Sequence, residues 1–277
     1  MTILVPTDFS ENARYAAEYA AELANSKDYD LHLLHCYTTS SVMDENDDLF
    51  RTNSLNADEK IQEWKTRLLQ MFPNLSITLE CSRSLITEKL TELSKKDDFE
   101  LIIMGASGTR ANQSIYWGST TMAVASQADI PVLVIPNNKT SLLTTHVALL
   151  TNFKSEELDT FKAYTGLFGT PQQLTLIHVY KENQKKQNVL ETLESWIFNI
   201  REMVLTEKIE YVLEPIQKDD EDLDTVPEVV SNIIHKINPD MILVTPSRKS
   251  FFERLFKTSV SKAIALELEK PTFFDKI

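Results

Sequence analysis

Three of the five glycines in this 277-residue chain fall in one stretch: Met104-Gly105-Ala106-Ser107-Gly108 and then, after nine intervening residues, Gly118-Ser119-Thr120. An apolar run from Leu101 to Met104 leads into the stretch, and a helical pattern from Thr120 to Ala128 leaves it. The order is strand, loop, helix. Glycines at such a junction permit positive φ and let backbone N–H groups approach a ligand with no Cβ in the way. The helix that follows adds unsatisfied N–H groups and the positive end of its dipole. An anion, most simply a phosphate, is what this chemistry recognises. The plainer alternative is that the glycines only serve turns. The spacing G-x2-G-x9-G-S-T is neither the dinucleotide fingerprint G-x-G-x-x-G nor a P-loop, since Gly-Lys-Ser/Thr occurs nowhere.

The elements that must position this loop are written twice. Glu100-Leu101-Ile102-Ile103-Met104 matches Asp240-Met241-Ile242-Leu243-Val244, and Ile130-Pro131-Val132 matches Lys270-Pro271-Thr272, both at an offset of 140. Leu31-His32-Leu33-Leu34-His35 matches Leu174-Thr175-Leu176-Ile177-His178 at 143, and Thr7-Asp8-Phe9 matches Thr151-Asn152-Phe153 at 144. A period this long means duplicated domains, because solenoid repeats run ~20 to 50 residues. In the first copy short β-branched runs near 2–6, 30–37, 75–81, 99–104 and 131–135 alternate with amphipathic stretches near 10–26, 55–71, 84–96 and 118–128. The second copy repeats the order. Continuous apolar strands between helices predict two tandem α/β domains, each an open five-stranded parallel sheet with helices on both faces. The expected domains are 1–138 and 145–277, joined by a polar linker at 136–145.

In such sheets ligands sit beyond the carboxyl ends of the strands, where the strand order reverses. The first strand delivers Pro6, Thr7 and Asp8 to that crevice, and the fourth delivers Met104 and Gly105. Asp8 suits the hydroxyls of a ribose or an adenine amine, and also the N-terminus of the helix that Ser10 would cap. Backbone N–H groups around Ser107, Gly108, Gly118, Ser119 and Thr120, with the last two hydroxyls, would hold phosphate oxygens. Arg110 either screens the phosphates or points into water, and Trp117 either covers the loop or packs within its domain. His35 recurs as His178 in the copy without glycines, so it reads as structural.

The loop, with Ile3-Leu4-Val5-Pro6-Thr7-Asp8-Phe9-Ser10, closely resembles the universal stress proteins, here as a tandem pair of such domains. The resemblance implies the Rossmann-like fold of the adenine nucleotide alpha hydrolases. In the ATP-binding branch it implies that this loop holds the ribose and phosphates, that the Asp8 position contacts the nucleoside, and that the Cys36 position packs against adenine. The implied ligand is ATP, with ADP or AMP as alternatives and Mg²⁺ accompanying the nucleotide. It also points to an internal pseudo-dimer through the last strands, Pro131 to Ile135 and Pro271 to Phe274, with a homodimer and a protein partner as further expectations.

The second copy departs from that pattern. Its loop reads Thr245-Pro246-Ser247-Arg248 and, nine residues on, Thr258-Ser259-Val260, so all three glycines are gone. Asn152 stands where Asp8 stood, Ser155 is the expected cap, and Glu156-Glu157 would place carboxylates at the mouth of the crevice. Phe251, Phe252 and Phe256 read as filler or an interface, and Arg248 as an alternative anion contact. A degenerate, nucleotide-free domain is expected.

A formal charge of −13 argues against nucleic acid as partner. No apolar run approaches the ~20 residues that span a bilayer, and the start reads directly into a strand, so a cytoplasmic protein is expected. Cys36 and Cys81 lack a CxxC partner and read as core thiols. Asp219-Asp220-Glu221-Asp222 lacks the spaced ligands and glycine of a calcium loop and reads as a solvated acidic turn. Thr225-Val226-Pro227-Glu228 has capping-box spacing. No catalytic constellation is evident, so the expectation is a regulatory nucleotide-binding protein with at most slow ATP hydrolysis. The alternatives are an adenine-nucleotide hydrolase, against which the absence of glycine in Pro6-Thr7-Asp8-Phe9-Ser10 argues, and a nucleotide-free scaffold.

Overall fold

The central apolar runs that the sequence marks as strands are buried, at 3–6, 101–104, 132–135, 147–150 and 241–244. The computed structural model describes residues 1–37, 47–107, 118–138, 141–180, 186–216, 226–245 and 270–276. The chain divides into two compact units, 1–142 and 143–277. Unit 1 contains β1 (Thr2–Pro6), α1 (Glu11–Lys27), β2 (Asp30–Tyr37), α2 (Asp47–Met71), β3 (Ile77–Arg83), α3 (Ile86–Leu93), β4 (Leu101–Gly105), α4 (Ser119–Gln127) and β5 (Val132–Ile135). Unit 2 contains β6 (His146–Leu150), α5 (Glu156–Phe168), β7 (Gln173–Tyr180), α6 (Lys186–Met203), β8 (Lys208–Pro215), α7 (Val226–Ile237), β9 (Met241–Val244) and β10 (Thr272–Phe274).

Within unit 1 the strands run in the order β3-β2-β1-β4-β5, and within unit 2 in the order β8-β7-β6-β9-β10. Every pairing inside each unit is parallel. Both units are therefore the expected α/β fold with a crossover sheet. Each reverses its strand order beside the first strand of the unit, between β1 and β4 and between β6 and β9.

Helix α1 shows why the sequence packs this way. Its inward face is Ala13, Ala16, Ala17, Ala20, Ala21, Leu23 and Ala24, all buried, and small side chains let the helix lie close over β1 and β4. Alanine also has the best helix propensity. Ser10 caps it as expected, its hydroxyl accepting from the Ala13 N–H at 3.1 Å. In unit 2 the matching face of α5 is aromatic: Phe161, Tyr164 and Phe168 stack along the helix, and the last two meet Phe273 of β10 edge-on.

Several boundaries differ from the periodicity. The third strand begins at Ile77 rather than near 75, and the helix expected over 84–96 is only Ile86–Leu93. Leu85 offers it no side-chain cap, and Ser94 ends it. Helix α2 extends back to Asp47, beyond its clear apolar stripe. Ser155 does not cap α5; its side chain makes no capping bond. Cys36 and Cys81 are half-buried rather than core residues. Gly108, Arg110, Trp117, the 219–222 acidic run, Thr225 and the whole of 246–260 lie outside the described residues. Among the described residues no helix is long and apolar enough to cross a membrane.

His178 is buried on β7, its Nδ1 2.8 Å from the carbonyl oxygen of Thr151. A carbonyl only accepts, so Nδ1 carries the hydrogen. Burial pushes the pKa of this imidazole below the usual histidine value, against the raising effect of that hydrogen bond. The unfolded chain therefore takes up a proton near pH ~6.5 that the folded chain refuses. The stability tied to His178 is complete above that value and is lost as pH falls toward the folded pKa. In thermal denaturation the melting temperature should drop between about pH 7.5 and about pH 5.5, and drop less in His178→Gln. Equal drops in the two proteins would show that this histidine does not set the dependence.

Candidate functional site

The chain leaves β1 and enters α1 through a turn that a non-glycine residue makes in the left-handed region. Phe9 has φ 62°, and its repeat Phe153 has φ 61°. Such a conformation costs a β-carbon-bearing residue about 1 to 2 kcal/mol, so the surroundings must hold it. The His35 ring lies 4.3 Å from the Phe9 ring, and Trp64 meets Phe9 edge-on at 5.7 Å. His35 Nδ1 donates to the Thr7 carbonyl at 2.7 Å, and the Thr7 hydroxyl oxygen accepts from the Phe9 N–H at 3.0 Å. Unit 2 repeats the arrangement with His178, Phe153 and Trp196. The structural reading of His35 follows from this geometry.

The turn leaves Asp8 exposed at the carboxyl end of β1, where its carboxylate accepts from the Ser10 N–H at 3.0 Å. That is the helix-entry use of the residue, and the same side chain borders a cleft. The cleft has a volume of about 530 Å³ and is lined by Pro6, Thr7, Asp8, Ala13, Cys36, Ile86, Met104, Gly105, Ser107, Gly118, Ser119, Thr120 and Thr121. Ten of the eleven residues named from sequence thus border one space, and the eleventh, Gly108, lies outside the described residues.

Ala13, Ile86 and Thr121 were not anticipated. Thr121 anchors the base of the loop, its hydroxyl donating to the Gly105 carbonyl at 3.0 Å. Ala13 and Ile86 sit on the first turns of helices that follow strands 1 and 3. Their signal in the sequence was only their place after a strand's carboxyl end.

The glycines act differently from the expectation of positive φ. Gly118 has φ −66° and Gly105 is not among the left-handed residues. At Gly105 the demand is space, because an added Cβ would stand 2.6 Å from Asn12 Nδ2. Asn12 is buried and its Nδ2 donates to the Ser107 carbonyl at 2.9 Å, tying α1 to the root of the loop. At Gly118 a Cβ would meet no atom of the described residues closer than 3.7 Å, and Gly118 itself borders the cleft. Gly118 is also the N-cap of α4, and among the described residues no side chain caps that helix. Its first-turn residues Ser119, Thr120 and Thr121 line the cleft, and the N–H groups of a first helical turn are ones an anion can satisfy.

Cys36 closes the side of the cleft toward β2. Burial pushes its thiol pKa up, opposed by the Ser84 hydroxyl that donates to Sγ at 3.5 Å. A neutral, weakly polar sulfur is a surface for an apolar ring rather than a nucleophile. Cys81, on the neighbouring strand, is pushed up to about 12 by burial and by Asp58. Among the described residues no group of three or more His, Cys, Asp or Glu side chains could hold a metal ion.

At the equivalent place in unit 2 the described residues enclose a smaller space. Its cavity is about 40 Å³, lined by Leu150, Thr151, Asn152, Glu157, Ile177, Val179, Val226, Val230, Val244 and Thr245. Thr245, the counterpart of Gly105, meets the Thr160 hydroxyl at 2.6 Å. Glu157, expected at the mouth of the crevice, is instead turned inward and only 4% exposed.

Comparison with known proteins agrees with this architecture. The family model described as the universal stress protein family matches residues 1–136. Over the full length the chain is similar to the crystal structure of a universal stress protein from Archaeoglobus fulgidus, with 18% identity, a TM-score of 0.70, and coverage of 99% of this chain and 98% of that one. It is similar also to a putative universal stress protein from Pseudomonas aeruginosa, with 15% identity, a TM-score of 0.60, and coverage of 99% and 92%. At these identities the likeness to both structures establishes the fold. Residues 1–136, with β1, its left-handed turn and the glycine-bordered cleft, form a domain of the universal stress protein family.

Proposed function

We propose that unit 1 binds one adenine nucleotide, ATP before ADP or AMP, and that the chain works as a cytoplasmic stress-response nucleotide sensor with unit 2 as a degenerate, nucleotide-free copy. The observation that carries this reading is the uncapped N-terminus of α4 opening, through Gly118, onto a cleft whose far wall is Asp8. A cleft of about 530 Å³ suits a ligand of nucleotide size, since ligand sites run from about 300 to 1,000 Å³. The N–H groups of Ser119 and Thr120 and their hydroxyls would take the phosphate oxygens, Asp8 a ribose hydroxyl or an adenine amine, and Cys36 with Met104 the base. Mg²⁺ would arrive on the phosphates, where it lowers their charge beside the Asp8 carboxylate. In unit 2 the described residues border only about 40 Å³, and threonine stands at 245 in place of glycine, which supports reading it as the nucleotide-free copy.

Binding would change the surface around the loop between Ser107 and Gly118, and a protein partner reading that surface would complete the sensor. Among the cleft residues none is a base positioned to activate water, so nucleotide should persist rather than turn over. The rate of ATP hydrolysis by the purified chain should fall well below the ~1 to 1,000 per second common for enzymes. A magnesium-dependent rate inside that range would place the protein among the hydrolases.

The two glycine positions separate binding from folding. Gly118→Val should leave the fold intact at a cost near 1 kcal/mol for a poorer N-cap while abolishing ATP binding measured by equilibrium dialysis. Gly105→Val forces Asn12 out of its contact with Ser107 and should lower the unfolding free energy in urea by about 1 to 3 kcal/mol. Normal ATP binding by Gly118→Val would remove the loop from the site.

A further inference from the structure

The two units make the same left-handed turn and then differ at the fourth residue after its phenylalanine. In unit 1 that residue is Ala13, whose methyl ends at the wall of the cleft. In unit 2 it is Glu157, whose carboxylate is folded back onto the turn. One of its oxygens accepts from the Thr151 hydroxyl at 2.5 Å, from the Asn152 N–H at 3.1 Å and from the Lys154 N–H at 3.3 Å. The other accepts from the Asn152 N–H at 2.9 Å. A buried carboxylate is tolerated only with such a set of donors.

The change is coupled to a second one. Asp8 of unit 1 becomes Asn152 in unit 2, so the cradle holds one carboxylate in each copy. In unit 1 that carboxylate stands exposed at the rim on Asp8, and in unit 2 it is buried on Glu157. Two carboxylates in the same few ångströms would repel, and the exchange of aspartate for asparagine removes that repulsion.

We propose that Glu157 is the resident ligand of unit 2: its carboxylate fills, from within the chain, the space over the left-handed turn that in unit 1 is open cleft beside Ala13, where Asp8 accepts from the Ser10 N–H, the counterpart of the Lys154 donor. Unit 2 is thereby fixed in the occupied arrangement and only unit 1 exchanges ligand. The assignment of the open cradle to a nucleotide rests on the function proposed above; the filling of the closed one by Glu157 does not.

The test transplants the glutamate and removes it, in the full chain. Ala13→Glu should weaken ATP binding at least a hundredfold in calorimetry while the melting temperature stays within a few degrees of the wild type; affinity within threefold of the wild type overturns the proposal. Because a glutamate at 13 could instead unfold unit 1, the reverse variant supplies an independent reading. Glu157→Ala should melt several degrees lower than the wild type, and sodium formate should restore part of the loss relative to sodium chloride at equal ionic strength, because formate replaces the missing carboxylate among the same donors. Its ATP affinity should equal that of the wild type. A Glu157→Ala protein whose melting does not respond to formate overturns the proposal. A wild-type chain that binds no ATP overturns the nucleotide reading alone, and the formate experiment still decides the role of Glu157.

Discussion

The left-handed turn between the first strand and the first helix is the constraint on which each unit depends. Phe9 and Phe153 adopt a conformation that costs about 1 to 2 kcal/mol, and each is held by a histidine from the second strand and a tryptophan from the second helix. Aromatic pairs contribute about 0.5 to 1.5 kcal/mol beyond the area they bury, enough to offset the turn. The histidine also holds the carbonyl of Thr7 or Thr151. The carboxyl end of the first strand is thus fixed from three elements at once, and it is fixed the same way in both copies.

What differs between the copies is what stands on this common frame. In unit 1 the helix face is alanine, position 105 is glycine because Asn12 occupies its Cβ space, and position 13 is a methyl. Those small groups leave a cleft between the turn and α4. In unit 2 the helix face is aromatic, Thr245 bonds to Thr160, and Glu157 satisfies the donors of the turn. Among the described residues the two frames thus differ in side-chain volume and in the place of one carboxylate.

The parallel sheets and the crossover point were legible in the sequence because continuous apolar runs separated by amphipathic stretches admit few other packings. The cleft was legible too, since Pro6 to Asp8, Cys36, Met104 and the glycine positions follow from where strands 1, 2 and 4 must end. Other features were not. The positive φ belongs to phenylalanines rather than to Gly105 or Gly118, and no local propensity announces a left-handed Phe; only the stacked His and Trp, distant in sequence, explain it. Glu157 was expected with Glu156 at the mouth of the crevice, and its inward turn depends on donors that exist only once the strand has ended. The start of α2 and the ends of α3 lie where the apolar stripe fades.

The central claim is that one copy of the duplicated unit is open to an adenine nucleotide and the other is not. Isothermal titration of the full chain with ATP tests it most directly. The account predicts a single class of site with one ATP per 277-residue chain. Two equivalent sites, or no heat of binding at any accessible concentration, would contradict it.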